Sequence, residues 1–212
     1  MCKERISLRY PVVEAALGLC AFYLYLAFPL PEAAGRLVLC AALMGASLVD
    51  HDWKIIPDVI TLPGVPLGTL AAIFLMPSVG ALSSLVGILG GGGLLFVIGE
   101  IYYWLRGVEG MGMGDVKLMA MIGAFLGWQG GLFALFVGSL VGSTVGIAAG
   151  LRASHPAPSG NPQPAEDSDR GASEADRVPV LRTAITFGPF LSVAAALYAL
   201  LQPQLTRWYL AH

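Results

Sequence analysis

The chain has 212 residues, of which 56% are hydrophobic and 12% are charged, and its formal net charge is −2 at pH 7. Its mean hydropathy of +0.73 is higher than the core of a water-soluble protein of this length requires, so the composition predicts an integral membrane protein. Because the charge gives no basic surface of the kind that binds nucleic acids, we expect no nucleic-acid partner.

Apolar runs of membrane-spanning size recur along the chain. A helix needs about 20 mainly apolar residues to cross a bilayer, and we identify seven candidate runs, which predict an all-α, polytopic transmembrane helix bundle embedded in lipid. The runs are 12–31, 35–50, 57–76, 79–105, 116–128, 131–151 and 183–201. The fifth run is the weakest, so we expect a short, tilted or re-entrant segment, in which Gly123 and Gly127 allow close helix packing.

Basic residues are distributed unevenly between the two sides of this bundle. If the amino terminus is cytoplasmic and all seven runs span, every Lys and Arg except Arg36 and Arg207 lies on the cytoplasmic side, as the positive-inside rule requires. The same topology places Asp50 and Asp115 at cytoplasmic ends of helices, where they could share one site.

The chain divides into five predicted regions. Residues 152–182 are rich in Pro, Ser, Gly and acids, cannot bury enough apolar surface to order themselves, and are expected to form a flexible cytoplasmic loop. The other regions are a cytoplasmic amino-terminal segment, a membrane core, a last membrane helix and a carboxyl-terminal tail, at 1–11, 12–151, 183–201 and 202–212.

The first candidate site residue, Asp50, lies in the block LVDHDWKIIPDVITLP, residues 48–63. It closes an apolar run, and an ionisable side chain at membrane depth is a functional candidate by default. Asp58 follows Pro57 where a helix should begin, and its charge suits the positive end of that helix. Asp52 is explained as a solvated loop acid, so Asp50 is the acid without a structural role.

The second candidate, Asp115, follows the glycine-rich stretch GMGMG. Gly112 and Gly114 give the backbone freedom to turn and let another extended chain approach closely, as a peptide-cutting carboxylate would need. A phosphate-binding loop is disfavoured because no Lys-Ser/Thr follows the glycines, whereas Asp115 as a simple helix cap stays open. Lys117 could orient Asp115 or anchor the chain on the cytoplasmic side, although side chains two residues apart on a helix do not face each other.

Two neighbouring carboxylates share a proton, so that one acts as a base and the other as an acid. Such a pair can activate water for attack on a peptide carbonyl and protonate the leaving amine. A metal held by Asp50, His51 and Asp115 lacks a further ligand at helical spacing. Two alternatives stay open: a proton-coupled transporter that uses the same carboxylates, and a structural component of a secretion machine.

Together these blocks resemble the type IV prepilin peptidases, which are GxGD-type membrane aspartic proteases. The resemblance is carried by Asp50 with IPD (56–58) and ITLP (60–63), by GMGMGDVKLMAMIGAFLGW (110–128), by RYPVVE (9–14) and by FGPFL (187–191). It implies that Asp50 and Asp115 are catalytic and that Gly112, Gly114, Lys117 and Asp58 shape the site. It also implies a cytoplasm-facing enzyme of the bacterial inner membrane, in type IV pilus or type II secretion systems. That enzyme would cut the short basic leader of prepilins and pseudopilins after a glycine, without a cofactor.

The amino terminus departs from the bifunctional members of that family. Those members carry an extra span and two Cys-x-x-Cys pairs before the RYPxVE block, whereas this chain begins MCKERISLRYP. We therefore expect a shortened form or a naturally short homologue, with no four-cysteine zinc site, because Cys2 stands alone there. S-adenosylmethionine is expected as a cofactor only if N-methyltransferase activity is retained.

Overall fold

A computed structural model describes residues 9–107, 112–153 and 187–210 of the chain. All regular elements in these residues are helical, which confirms the prediction of an all-α bundle. The elements in chain order are α1 (Arg9–Ala27), α2 (Leu30–Trp53), α3 (Asp58–Phe74), α4 (Gly80–Gly87), a π-helical segment (Ile88–Gly93), α5 (Leu94–Arg106), α6 (Met113–Ala153) and α7 (Gly188–Leu210).

Within the described residues, four helical stretches are long and apolar enough to cross a membrane: Arg9–Ala27, Leu30–Trp53, Gly80–Arg106 and Met113–Ala148. Two further apolar stretches, Asp58–Phe74 and Gly188–Gln202, are shorter. These lengths fit a multi-pass membrane protein, while the count of seven spans stays a prediction.

Helix α6 joins the fifth and sixth predicted segments into one element with a break at Gly127. The backbone there has φ 71° and ψ −174°, a left-handed φ that strongly favours glycine. The arm of α6 before the break is almost completely buried from Leu118 to Leu126. Its apolar length is short for a span, and it packs against other helices of the bundle.

The buried arm of α6 crosses α4 at backbone contact. Gly87 and Gly123 meet with no room for a Cβ atom on either residue, which is the close approach that small residues permit between membrane helices. Beside this crossing, the Ser84 hydroxyl donates a hydrogen bond of 2.7 Å to the Ala124 carbonyl. The contact places the buried arm firmly beside α4 and the π-helical segment.

Arg36 is the largest fully buried side chain of the bundle, at 1% exposure. Its guanidinium donates to the Ala199 carbonyl at 3.1 Å, lies 3.9 Å from the centre of the Phe28 ring and is 3.8 Å from the Glu32 carboxylate. These contacts connect α2 to α7 at the end of α2 that is remote from Asp50.

The predicted region boundaries differ from the helix bounds at several points. Helix α1 begins at Arg9, α6 continues to Ala153, and α7 runs to Leu210 through most of the predicted tail. The predicted loop lies, from residue 154 onward, outside the described residues, as does Cys2.

Candidate active site

Asp50 lies in the last turn of α2 and is 4% exposed. Its Oδ2 atom is buried and has no hydrogen-bond partner among the residues that the structure describes. Lys54 follows the last residue of the helix and caps it. It adopts a left-handed conformation with φ 54° and donates its N–H to the Asp50 carbonyl at 2.8 Å. A buried carboxyl oxygen without a partner is energetically unfavourable, so its position calls for a functional explanation.

Asp115 lies in the first turn of α6, where its N–H donates to the Gly112 carbonyl at 3.0 Å. Gly114 packs against the linker between α2 and α3, because a Cβ atom on Gly114 would lie 3.0 Å from Ile56 Cβ. Gly114 therefore allows the start of α6 to pack against the α2–α3 linker, which follows the end of α2 that carries Asp50.

One cavity of about 620 Å³ contains both acids. It is lined by the end of α2, the α2–α3 linker, the starts of α3 and α6, and the residues that directly precede α6 and α7. The lining residues are Asp50, Lys54, Ile55, Ile56, Pro57, Asp58, Gly112, Gly114, Asp115 and Phe187. Two acids from distant parts of the sequence therefore share one site.

Lys117 pairs with Asp58 rather than with Asp115. Its Nζ donates to both carboxylate oxygens of Asp58, at 2.8 and 2.7 Å. The side chain leaves α6 on a different side from Asp115, as the two-residue spacing implies. The ion pair joins the start of α3 to the start of α6 at the rim of the cavity.

Asp52 also has a partner that the sequence did not indicate. It lies within α2 and not in a loop, and its carboxylate accepts a hydrogen bond of 2.8 Å from Arg9. Both side chains of this pair are largely exposed, at 44% and 62%. Asp52 is absent from the cavity lining, so it is separate from the Asp50 and Asp115 site.

Gly188 is a site residue that the sequence analysis did not single out. It begins α7, is buried, and packs directly on the Asp50 carboxyl group. Its only signal in the sequence is its place in the FGPFL block, which contributed to the family resemblance without an assigned role.

Within residues 9–107, 112–153 and 187–210, no three His, Cys, Asp or Glu side chains come close enough together to hold a metal ion.

Comparison with known proteins identifies the family. The model of the type IV leader peptidase family matches residues 37–147, a range that includes Asp50, Asp58, Asp115 and Lys117. No solved structure matches the chain.

Several curated relatives carry the name prepilin leader peptidase/N-methyltransferase, among them the following three. The protein of Pseudomonas aeruginosa is 35% identical over 214 residues, covering 99% of this chain and 64% of its own length. That of Pseudomonas putida is 36% identical over 150 residues, covering 69% of this chain and 51% of its own length. That of Aeromonas hydrophila is 31% identical over 216 residues, covering 100% of this chain and 64% of its own length. The chain thus spans less than two thirds of these relatives.

The family model and these relatives agree with the resemblance carried by the motifs around Asp50 and Asp115. The chain belongs to the type IV leader peptidase family.

Proposed function

We propose that this chain is a membrane aspartic endopeptidase that removes the short basic leader of type IV prepilins and pseudopilins, after a glycine, at the cytoplasmic face of the bacterial inner membrane. The observation that carries this proposal is the shared cavity of Asp50 and Asp115. The family membership and the name of the relatives support the same substrate class.

In the proposed reaction, one carboxylate of the pair takes a proton from water as the water oxygen attacks the scissile carbonyl. The other carboxyl group, which is protonated, donates to the carbonyl oxygen as the tetrahedral intermediate forms. The tetrahedral intermediate then collapses and its C–N bond breaks. The leaving amine receives the proton that the first carboxylate took from water, and the second carboxylate recovers a proton from a hydroxyl group of the intermediate. Because Asp50 is almost fully shielded from bulk water, electrostatic interactions in the site are stronger than in solution.

Substrate access is supported by the space beside Asp115. Among the described residues, a Cβ atom on Gly112 would meet only the Asp115 carboxylate, at 3.8 Å. An extended substrate backbone could therefore pass alongside Asp115, with its scissile bond between the two acids. The lipid-embedded helices would hold the apolar part of the substrate in the same membrane.

The relatives' name also includes an N-methyltransferase, a reaction for which S-adenosylmethionine is the expected methyl donor. Hydrolysis by two carboxylates consumes only water, so the proposed peptidase reaction needs no cofactor. We propose only the peptidase activity for this chain.

Incubation of the detergent-purified chain with a full-length type IV prepilin tests the function directly. Mass spectrometry should show a product shortened by the mass of the leader, with the new amino terminus following the leader's glycine. Intact substrate after incubation with a protein that retains its helical circular dichroism would contradict the proposal. Dissipation of a proton gradient by the reconstituted chain, together with uncleaved prepilin, would support the transporter instead.

The two glycines before Asp115 should respond differently to substitution. We expect Gly112→Val to lower the cleavage rate by about tenfold or more, with little change in thermal stability, because the side chain would occupy the space beside Asp115. Gly114→Val should lower both activity and melting temperature, because its side chain would collide with Ile56. Cleavage kinetics and thermal melts in detergent measure the two effects. Normal turnover by Gly112→Val would show that the substrate does not pass this glycine.

The pair of Lys117 and Asp58 should matter more for activity than for stability. Their side chains are 31% and 53% exposed, and exposed ion pairs contribute at most about 1 kcal/mol to folding. We expect Lys117→Met and Asp58→Asn each to lower cleavage partially, because the start of α6, and with it Asp115, loses one connection to α3. The double variant should be no slower than either single variant, as expected for partners. Independent, multiplicative losses would contradict a shared role.

A further inference from the structure

The first turn of α7 lies against the carboxyl group of Asp50. A Cβ atom built on Gly188 would be 2.6 Å from Asp50 Oδ2, 3.3 Å from Asp50 Cγ and 3.1 Å from Ile56 Cδ1. The first of these distances is shorter than the contacts that side-chain carbons make in proteins, so a methyl group here would force the Asp50 carboxyl group to move. Gly188 is not among the described residues with positive φ, so space rather than backbone conformation requires glycine here.

This contact leaves the two oxygens of Asp50 in different surroundings. Oδ2, which faces Gly188, is buried and has no hydrogen-bond partner within the described part of the chain, whereas the same does not hold for Oδ1. The backbone of α7 therefore excludes water from one oxygen and leaves the other as the atom that can serve a reaction in the cavity.

The first turn of α7 is held in place by contacts that do not involve Asp50. The N–H groups of Phe190 and Leu191 donate to the Phe187 carbonyl at 3.1 and 3.3 Å. A Cβ atom on Gly138 of α6 would lie 3.2 Å from Leu191 Cα, so α6 and α7 are also in close contact one turn further along. The position of Gly188 is thus set by the bundle, and the Asp50 carboxyl group must adapt to it.

We infer that Gly188 is a positioning residue for Asp50: its missing side chain lets the backbone of α7 fix the orientation of the Asp50 carboxyl group in the cavity. The inference rests on the proposed peptidase function. Gly188 need not touch the substrate. It acts by holding one carboxyl oxygen against α7, so that the other is directed toward water and Asp115.

The test compares Gly188→Ala with Gly35→Ala. Both variants add one methyl group at a crowded position, but the first meets Asp50, whereas the second meets the Met76 side chain, with its nearest atom at 3.2 Å. We expect Gly188→Ala to lower kcat for prepilin cleavage by about 10- to 100-fold with KM nearly unchanged, since a displacement of about 1 Å in a reacting group has effects of this size. The pH profile of kcat should shift as well, because the environment of the carboxyl group changes. Gly35→Ala should keep the wild-type pH profile and a kcat within about threefold of wild type.

A double-mutant cycle keeps the inference testable if Gly188→Ala folds poorly. The loss in melting temperature caused by Gly188→Ala should be smaller in an Asp50→Ala background than in wild type, because the colliding carboxyl group is gone. Equal losses in both backgrounds, or a Gly188→Ala enzyme with wild-type kcat and pH profile, would overturn the positioning role. A wild-type chain that cleaves no prepilin would overturn the proposed function instead, and the melting-temperature cycle would still report on the contact.

Discussion

Asparagine at either Asp50 or Asp115 should abolish leader cleavage while leaving the helical bundle folded. Asparagine has nearly the same shape as aspartate but cannot exchange a proton at catalytic pH, so each variant removes one half of the proposed acid and base pair. We expect a loss of at least about 1,000-fold, in the range attributed to a positioned acid or base. Mass spectrometry of prepilin after incubation measures the loss, and circular dichroism in detergent checks the fold.

Two other aspartates provide matched controls for this experiment. Asp52→Asn alters an exposed carboxylate that pairs with Arg9 outside the cavity, and it should retain nearly full activity. Asp58→Asn alters a cavity residue that pairs with Lys117, and it should retain partial activity. Full cleavage by Asp50→Asn or Asp115→Asn would refute the pair, and complete loss in Asp52→Asn would show that the assay reports on fold rather than chemistry.

The second large effect is expected at the crossing of α4 and α6. A methyl group on Gly87 or Gly123 would overlap the backbone of the other helix, and a rigid backbone cannot move away as a flexible side chain can. We expect Gly87→Ala and Gly123→Ala to destabilise the bundle by about 3 kcal/mol or more, at the upper end of overpacking effects. The displaced arm of α6 carries Asp115, so activity should fall with stability.

Glycines of the neighbouring π-helical segment serve as controls. No other described part of the chain lies within 4 Å of a Cβ atom on Gly90 or Gly93, and alanine is favoured over glycine in helices by up to about 1 kcal/mol. Gly90→Ala and Gly93→Ala should therefore melt at or above the wild-type temperature. Thermal melts followed by circular dichroism in detergent compare all four variants. Wild-type stability in Gly123→Ala would contradict backbone contact at the crossing.

Much of the site could be predicted from single segments of the sequence. Asp50 and Asp115 can be identified because one lies at the end and the other at the start of an apolar helix, where an ionised side chain is energetically unfavourable. Gly112 and Gly114 stood out because glycine before an acid gives backbone freedom. Each of these signals depends only on a residue and its neighbours along the chain, so no knowledge of packing was needed.

Other features depend on segments that are distant in sequence. The pairing of Lys117 with Asp58, and of Arg9 with Asp52, requires that the starts of different helices lie side by side. The contact of Gly188 with Asp50 depends on the position of α7, which is set by its packing against α6 and α2. A local pattern of residues does not specify such contacts.

The sequence by itself determined that this is a helical membrane protein, and it contained the motifs of the family resemblance and the two acids that make the chain a candidate protease. These features could be predicted because hydrophobicity, glycine flexibility and charge act locally. The tertiary structure decided that both acids line one cavity, that α6 breaks at Gly127, and that Lys117 faces Asp58. These outcomes depend on how closely helix backbones can approach one another. Small residues such as Gly87, Gly123 and Gly188 permit that approach. They do so only where a helix from a distant part of the sequence packs against them.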